Sequence, residues 1–357
     1  MRKKYVIVIL SILLLVLLAS CATQPALEEG FDEPYEPLIY TPREEVSFAD
    51  FYLSESSHGY MAMRHIKFMN DYLYGRTPFS YRELEAALWI EQELLAMGHP
   101  RENVVMQEFS WDDVSELAWL VSDATAMLRF FGDVVVREEY LSQNVVLTIS
   151  GQSERTIIVG AHYDSLLYPG ASDNASGTAL LMESAQRMLY KDNYHTIVYV
   201  FFGAEEVGLL GAFYYLHTLN DEEFENIVFM INADVLFEGP HLLYSAGFDQ
   251  DRAAQANAIT RQIDMIAEEV SVYYDIELIA YPDGIYFMSD HIPFLMDTEH
   301  TVLVLAGLYY MNGNFVPRVF HSPRDCIHYI NENWPGKAQR AMNAYSIFLE
   351  RILLESF

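Results

Sequence analysis

The chain has 357 residues, 52% of them hydrophobic, and a formal charge of −30, from 21 Lys and Arg against 51 Asp and Glu. That length and apolar content suffice to bury a sizeable core. The charge argues against nucleic acid as a partner, because phosphate binding needs clustered Lys and Arg; the acidity reads as a soluble, self-repelling surface.

In chain order, the first feature is a targeting element. Arg2, Lys3 and Lys4 precede an apolar run over 5–19, which fits a secretory signal better than a spanning helix of about 20 residues. The run ends in Leu18-Ala19-Ser20-Cys21. This resembles the bacterial lipobox, where the signal is removed before a lipid-bearing cysteine. The expectation is a signal peptide over 1–20, a lipid on Cys21 and a place in the cell envelope, periplasmic or on the outer surface of a bacterial membrane. Cys326 is the other cysteine, so no intrachain disulfide is expected. Residues 21–47 are rich in Glu and Pro (Pro25, Pro34, Pro37, Pro42) and read as an extended tether. Folded sequence is expected over 48–357, as one domain without internal repeats.

The spacing of Leu84, Ala87, Leu88, Leu94 and Leu95 predicts an amphipathic helix over 81–97, stopped by Gly98 and Pro100. Strands are predicted at 103–109, 144–149, 156–161, 195–202 and 226–233, with helices at about 177–190 and 208–219. Residues 110–143, with Trp111, Trp119, Phe130 and Phe131, form an apolar stretch read as core. Such alternation predicts an α/β fold, a mostly parallel or mixed central sheet with helices on both faces.

Chemistry concentrates where predicted strands end. The run over 157–177 places His162, Asp164 and Asp173 directly after a β-branched strand, where open α/β sheets hold their sites. Glu205 and Glu206 follow the strand over 195–202, Asp234 ends the next, and His321 lies far downstream in Phe320-His321-Ser322-Pro323-Arg324-Asp325. His162, Asp173, Glu206, Asp234 and His321 are ligands of the type that two zinc ions share when one carboxylate bridges. Asp164, two residues after His162, is placed to accept the ring N–H that a metal leaves free. Asp325 is the corresponding candidate for His321.

Taken in order, His162-x-Asp164, Gly170-Ala-Ser-Asp173-Asn-Ala-Ser-Gly177, Phe201-Phe-Gly-Ala-Glu205-Glu206-Val-Gly-Leu-Leu-Gly211, Asn232-Ala-Asp234, Ser289-Asp290-His291-Ile-Pro-Phe294 and His321-Ser-Pro-Arg-Asp325 resemble the M28 family of zinc aminopeptidases over roughly 80–350. The resemblance implies a zinc-exopeptidase fold of the phosphorylase/hydrolase-like kind, release of N-terminal residues from peptides, two zinc ions per chain and Glu205 as general base. It implies that Asp173 bridges, that His162 and Asp234 complete one zinc site, and that Glu206 and His321 complete the other. It also implies a cis peptide after Asp173.

Around the 289–294 segment two readings stand: Asp290 and His291 orient a ligand or the zinc shell, or Asp290 caps a structural turn. Tyr286 reads as core. Asn174-Ala175-Ser176 fits the glycosylation pattern but lies inside the proposed metal loop and is set aside as a chance match. Cys326 with His321 or His328 reads as a small buried hydrophobe rather than a thiol nucleophile. His58, His65, His99, His195, His217, His241 and His300 receive no role. Alternative activities are a glutaminyl-peptide cyclotransferase, a carboxypeptidase or dipeptidase using Arg318 or Arg324 to hold a terminal carboxylate, and a lipid-anchored binding protein without catalysis.

Overall fold

A computed structural model describes residues 58–115, 134–247, 253–280, 288–297, 301–311 and 314–357, all within the compact unit Tyr40–Phe357. Cys21, the segment 1–47, Trp119, Phe130, Phe131, Tyr286 and His300 lie outside the described residues.

The helices that frame the site are α1 (Tyr60–Tyr72), α2 (Tyr81–Ala96), α3 (Ala175–Met188), α4 (Leu210–Thr218), α5 (Ala253–Tyr274), α6 (His291–Asp297), α7 (Ile327–Asn333) and α8 (Lys337–Leu353). The strands are β1 (Val104–Phe109), β2 (Ser142–Ile149), β3 (Ser153–His162), β4 (His195–Phe202), β5 (Ile227–Ala233), β6 (His241–Gly247), β7 (Leu278–Ala280), β8 (Thr301–Met311) and β9 (Asn314–Val316). They form one sheet in the order β1-β2-β4-β3-β5-β8-β6-β7, with β9 paired to β8. The central strands β4, β3, β5 and β8 run parallel. Antiparallel pairs flank them, β1 with β2 and β2 with β4 on one side and β8 with β6 on the other. The sheet is therefore mixed with a parallel centre, as the alternating pattern predicts. The alternation read from the sequence stops at β5, because β8 (TVLVLAGLYYM) is a continuous apolar run without the period that marks a half-exposed strand.

Strand β3 shows how both faces are covered. Ile157, Val159 and Ala161 pack with α3, α1, α2 and α8 residues in one core cluster. Ile158 belongs to the opposite cluster, with Ala212 and Leu216 of α4 and Phe294 of α6. Successive side chains of a strand point to opposite faces, so one buried strand feeds both cores. A third cluster gathers Phe79, Phe109, Val114, Ala204, Val207 and Leu210, with Trp111 packed against it. At the described start of the 110–143 stretch Val114 is thus core and Trp111 packs half-buried against it.

Helix α3 starts directly over the end of β5. Asn174 caps it, accepting from Gly177 N at 2.8 Å, and donates its amide to Ala233 O at 2.9 Å. Buried and doubly bonded, Asn174 has no free side chain to offer a sugar. A Cβ on Gly177 would stand 2.1 Å from Ala233 O, so only glycine lets helix and strand end approach this closely. Asp173 and Asp234 flank this contact. Gly177→Ala is expected to destabilise the fold by about 1–3 kcal/mol, read as a lowered midpoint of denaturant unfolding. An unchanged midpoint would show that the helix start can shift without cost.

Candidate metal centre

His162, Asp173, Glu206, Asp234 and His321 form two groups of donors beside the carboxyl ends of the parallel strands, and Asp164, Glu205, Asp290 and Asp325 belong to neither group. His162 is the last residue of β3, Asp173 precedes α3, Glu206 follows β4, Asp234 follows β5, and His321 lies in the loop between β9 and α7. His162, Asp173 and Asp234 form one group able to hold a metal ion, and Asp173, Glu206 and His321 form the other. Within each group the donor atoms lie within 4.8 Å of one another. His162 Nε2 stands 3.2 Å from Asp173 Oδ1 and 3.4 Å from Asp234 Oδ1. His321 Nε2 stands 3.1 Å from Asp173 Oδ2 and 3.0 Å from Glu206 Oε2. Asp173 thus presents one oxygen to each group. The Asp173–Asn174 peptide is cis.

The electrostatics of this cluster are out of balance. Burial, reinforced by Asp290, Glu206 and Asp234 and opposed by His162, pushes the Glu205 carboxyl well above its ordinary value. Burial raises Glu206 to about 7, with Asp173 adding to it and His321 opposing. Asp234 is raised by burial against the pull of His162. Burial works against charge on His162, yet Glu205 and Asp234 hold its imidazole well above the ordinary value. His321 behaves likewise, with burial overcome by Glu206 and Asp173. Asp173 alone is held low: burial opposes this, and the hydrogen bonds of the two histidines prevail. Buried carboxylates packed this closely need positive charge beyond two imidazoles. Glu206 Oε1 and Asp234 Oδ1 are buried and accept no hydrogen bond among the described residues. Imidazole nitrogens, carboxylate oxygens, two uncapped oxygens and one shared carboxylate fit a pair of divalent cations of the zinc type.

Of the two supporting acids, Asp325 acts differently from the sequence expectation and Asp164 stands where that expectation puts it. Asp325 contacts the loop that carries Asp173 rather than His321: its oxygens accept from Ser172 N at 2.7 Å and Asp173 N at 2.9 Å. Asp164 does stand beside His162, with Nδ1 at 3.4 Å from Oδ1. The ring is closer to the Asp164 backbone oxygen, at 3.2 Å, and the carboxylate accepts from Glu205 N and Glu206 N, each at 3.1 Å. Asp290 is fully buried, both oxygens accept no hydrogen bond among the described residues, and it lies within electrostatic reach of His162, Asp164, Asp234 and Glu206. Ser289 makes the turn, accepting from Ile292 N, and its hydroxyl bonds Asp234 and Asn232. Burial lowers His291 to about 4, which keeps its ring neutral.

Two buried residues escape the sequence reading. The Arg76 guanidinium, fully buried, donates to the carbonyls of Tyr163 (2.6 Å), Leu73 (3.1 Å), Pro169 (2.8 Å) and Gly170 (3.2 Å). It fastens the loop between His162 and Asp173 from beneath. Glu83, also fully buried, bonds Phe79, Ser142 and Ala204. Ser80-x-x-Glu83 ahead of an apolar run is a helix-start signature, and Ser80 does cap Glu83 N. That pattern predicts a local bond and gives no sign of the distant ones. Arg76 carries no such signature.

The other candidates disperse. The Arg318 guanidinium lies over the rings of Tyr309 and Trp334, 4.9 and 5.0 Å from their centroids, and that of Arg324 over Tyr329 at 6.0 Å. Cys326 stands just before α7 and is half-buried rather than buried as the sequence reading has it. His328, its possible partner, pairs with Asp71 instead at 2.8 Å.

Comparison with known proteins agrees with this architecture. Aminopeptidase YwaD of Bacillus subtilis is 28% identical over 183 residues, covering 49% of this chain and 37% of the relative. The probable lipoprotein aminopeptidase LpqL of Mycobacterium tuberculosis is 33% identical over 102 residues, covering 28% of this chain and 20% of the relative. The chain thus spans well under two thirds of the length of these curated relatives. Among solved structures, the zinc aminopeptidase BSAP from Bacillus subtilis superposes with a TM-score of 0.60 at 18% identity, covering 81% of this chain and 94% of that one. Bacteroides thetaiotaomicron glutaminyl cyclase bound to N-acetylhistamine superposes at 0.59 and 16% identity, covering 84% and 98%. Both likenesses establish the fold. The profile of peptidase family M28 matches residues 144–346, more than half of the sequence and the part that carries every donor described above, and the chain belongs to that family.

Proposed function

We propose that this chain is a zinc aminopeptidase, hydrolysing the N-terminal bond of peptides, with Glu205 as general base. The observation that carries the reading is the shared carboxylate: Asp173 offers one oxygen to His162 and the other to His321, while Glu205 stands buried beside both donor groups and belongs to neither. His162, Asp173 and Asp234 would hold one zinc, and Asp173, Glu206 and His321 the other. Zinc so held supplies Lewis acidity, lowering the pKa of water and polarising a carbonyl oxygen.

The chain's own groups do the remaining work. Glu205, free of ligand duty, accepts a proton from the attacking water at a carboxylate oxygen and returns it to the amine nitrogen that leaves. Asp164 holds the backbone on either side of that carboxylate through Glu205 N and Glu206 N. Asp325 and Arg76 hold the loop that carries Asp173. Two complete donor groups favour a two-metal hydrolase over a single-zinc cyclotransferase. The aromatic seats of Arg318 and Arg324 count against their holding a terminal carboxylate. A binding module has no use for an uncommitted buried carboxylate beside two metal sites.

Residues 1–20 are proposed as a signal peptide, Cys21 as the lipid-bearing residue and 21–47 as a tether, placing a peptidase domain over 48–357 at the cell envelope. The lipobox-like tetrapeptide supports this, as does the name of the mycobacterial relative. No helix among the described residues is long and apolar enough to cross a membrane.

Turnover of aminoacyl-anilides, with metal content measured by elemental analysis, tests the catalytic reading. Glu205→Gln is expected to retain both zincs and lose about 10²–10⁴-fold in kcat; near wild-type turnover would reject the base, and cyclised product from Gln-peptides would move the chain to the other activity. Zinc loading is expected to release protons at neutral pH. In the metal-free chain His162 and His321 are held above their ordinary value and are protonated, whereas zinc takes neutral imidazole, so affinity should fall as the pH is lowered. Calorimetry in two buffers of different ionisation enthalpy reads the proton count, and zero net release would contradict the donor assignment. Cys21→Ser should move the protein from the membrane to the soluble fraction; retention on membranes would remove the lipid anchor from the account.

A further inference from the structure

The turn that presents Glu205 is held from behind by a residue far from it in sequence. After β4 the chain passes through Ala204 with φ 54, a left-handed conformation uncommon for a residue with a side chain and maintained only where its surroundings enforce it. Three successive backbone N–H groups in this turn reach two buried carboxylates. Ala204 N donates to Glu83 Oε1 at 2.9 Å, Glu205 N to Asp164 Oδ1 and Glu206 N to Asp164 Oδ2, each at 3.1 Å. Successive N–H groups in such a turn form an anion-binding concavity, and here the anions are the protein's own side chains. With its N–H groups committed to this side, the turn has one orientation in which to offer Glu205 and Glu206 to the metal centre.

Asp164 neighbours His162 and belongs to the site already described. Glu83 does not. It stands in the first turn of α2, its Oε2 accepts from Phe79 N at 2.7 Å, and its Oε1 accepts from the Ser142 hydroxyl at 2.7 Å as well as from Ala204 N. One carboxylate thereby joins the start of α2, the start of β2 and the turn after β4. Its three partners are neutral. A fully buried carboxylate carries a desolvation cost that a local helix cap at the surface does not. A glutamine in its place has one acceptor oxygen rather than two, and its amide would meet an N–H.

We infer that Glu83 is a positioning residue for catalysis, fixing the Glu205 carboxylate through the Ala204 N–H. This rests on Glu205 as the base. Displacing a reacting group by about 1 Å from its productive place costs on the order of 10²-fold in rate, so loosening the Ala204 N–H bond is expected to act on kcat, with Glu206 still fixed by its own N–H bond to Asp164 and the zinc content therefore retained.

The test uses the zinc-loaded enzyme and an aminoacyl-anilide. Glu83→Gln is expected to lower kcat by about 10-fold or more, with KM within about twofold and zinc content unchanged. Ser142→Ala, which removes the hydroxyl donor and leaves the carboxylate, should shift kcat in the same direction by less. It decides the matter if Glu83→Gln does not fold. Glu205→Asp keeps a carboxylate but moves it. If Glu83 acts through Glu205, adding Glu83→Gln to Glu205→Asp should cost less than about twofold further, because coupled residues are not additive. A Glu83→Gln enzyme that is merely less heat-stable, with wild-type kcat per zinc-loaded molecule, would overturn the inference. So would a kcat loss that multiplies undiminished onto Glu205→Asp. Wild-type turnover by Glu205→Gln is a separate failure, since it removes the base itself.

Discussion

Everything at the carboxyl edge of this sheet depends on confining carboxylates that repel one another. Asp164, Asp173, Glu205, Glu206, Asp234, Asp290 and Asp325 are all buried or nearly so, and among the described residues His162, His321 and the Arg76 guanidinium bring positive charge within reach. Coulomb repulsion in a medium that screens poorly acts to expel such a set unless its charge is compensated. Two solutions serve five of these acids, and Glu205 and Asp290 take neither. Asp173, Glu206 and Asp234 turn oxygens toward imidazole nitrogens in the geometry of metal donors. Asp164 and Asp325 accept backbone N–H groups of the loops that carry those donors.

The second solution makes the first one rigid. Each N–H that a supporting acid accepts is a backbone position fixed beside a donor: Ser172 and Asp173 by Asp325, Glu205 and Glu206 by Asp164, Ala204 by Glu83. Arg76 applies the reverse chemistry to the loop after His162, saturating carbonyls rather than N–H groups. Burial lowers it to about 10, still above neutral, so it stays charged and lies close enough to Asp164, Asp325, Asp173 and Glu206 to offset part of their repulsion. The site is accordingly held by hydrogen bonds between the backbone and buried charged side chains, which are stronger than neutral ones, with His162, Glu206 and Asp234 at the ends of parallel strands and Asp173 and His321 on loops tied to them.

How far this was legible follows from sequence distance. Three of the five donors were readable because each lies within a few residues of a strand end that its own apolar run announces: Ile157 to Ala161 before His162, Val198 to Phe202 before Glu206, Val228 to Ile231 before Asp234; Asp173 and His321 stand in loops, and the resemblance to the family supplied them. The alternation of strands and helices was equally local, and elements predicted over 81–97, 177–190 and 195–202 appear as Tyr81–Ala96, Ala175–Met188 and His195–Phe202. Strand β8 was not read, since an apolar run buried on both faces has no period to distinguish it from a helix.

Taken by itself, the sequence determined which residue types stand at the strand ends, and in what order, because backbone propensity and apolar periodicity act over a few residues. Tertiary structure decided what each supporting acid does. Asp325 meets Ser172 and Asp173 from 153 and 152 residues away, and Glu83 meets Ala204 from 121 away. A carboxylate accepts any N–H donor brought within about 3 Å, and packing of the sheet alone settles which donor that is. Asp325 illustrates the point: proximity in sequence assigns it to His321, whereas the folding of α3 onto β5 brings the Asp173 loop to it first.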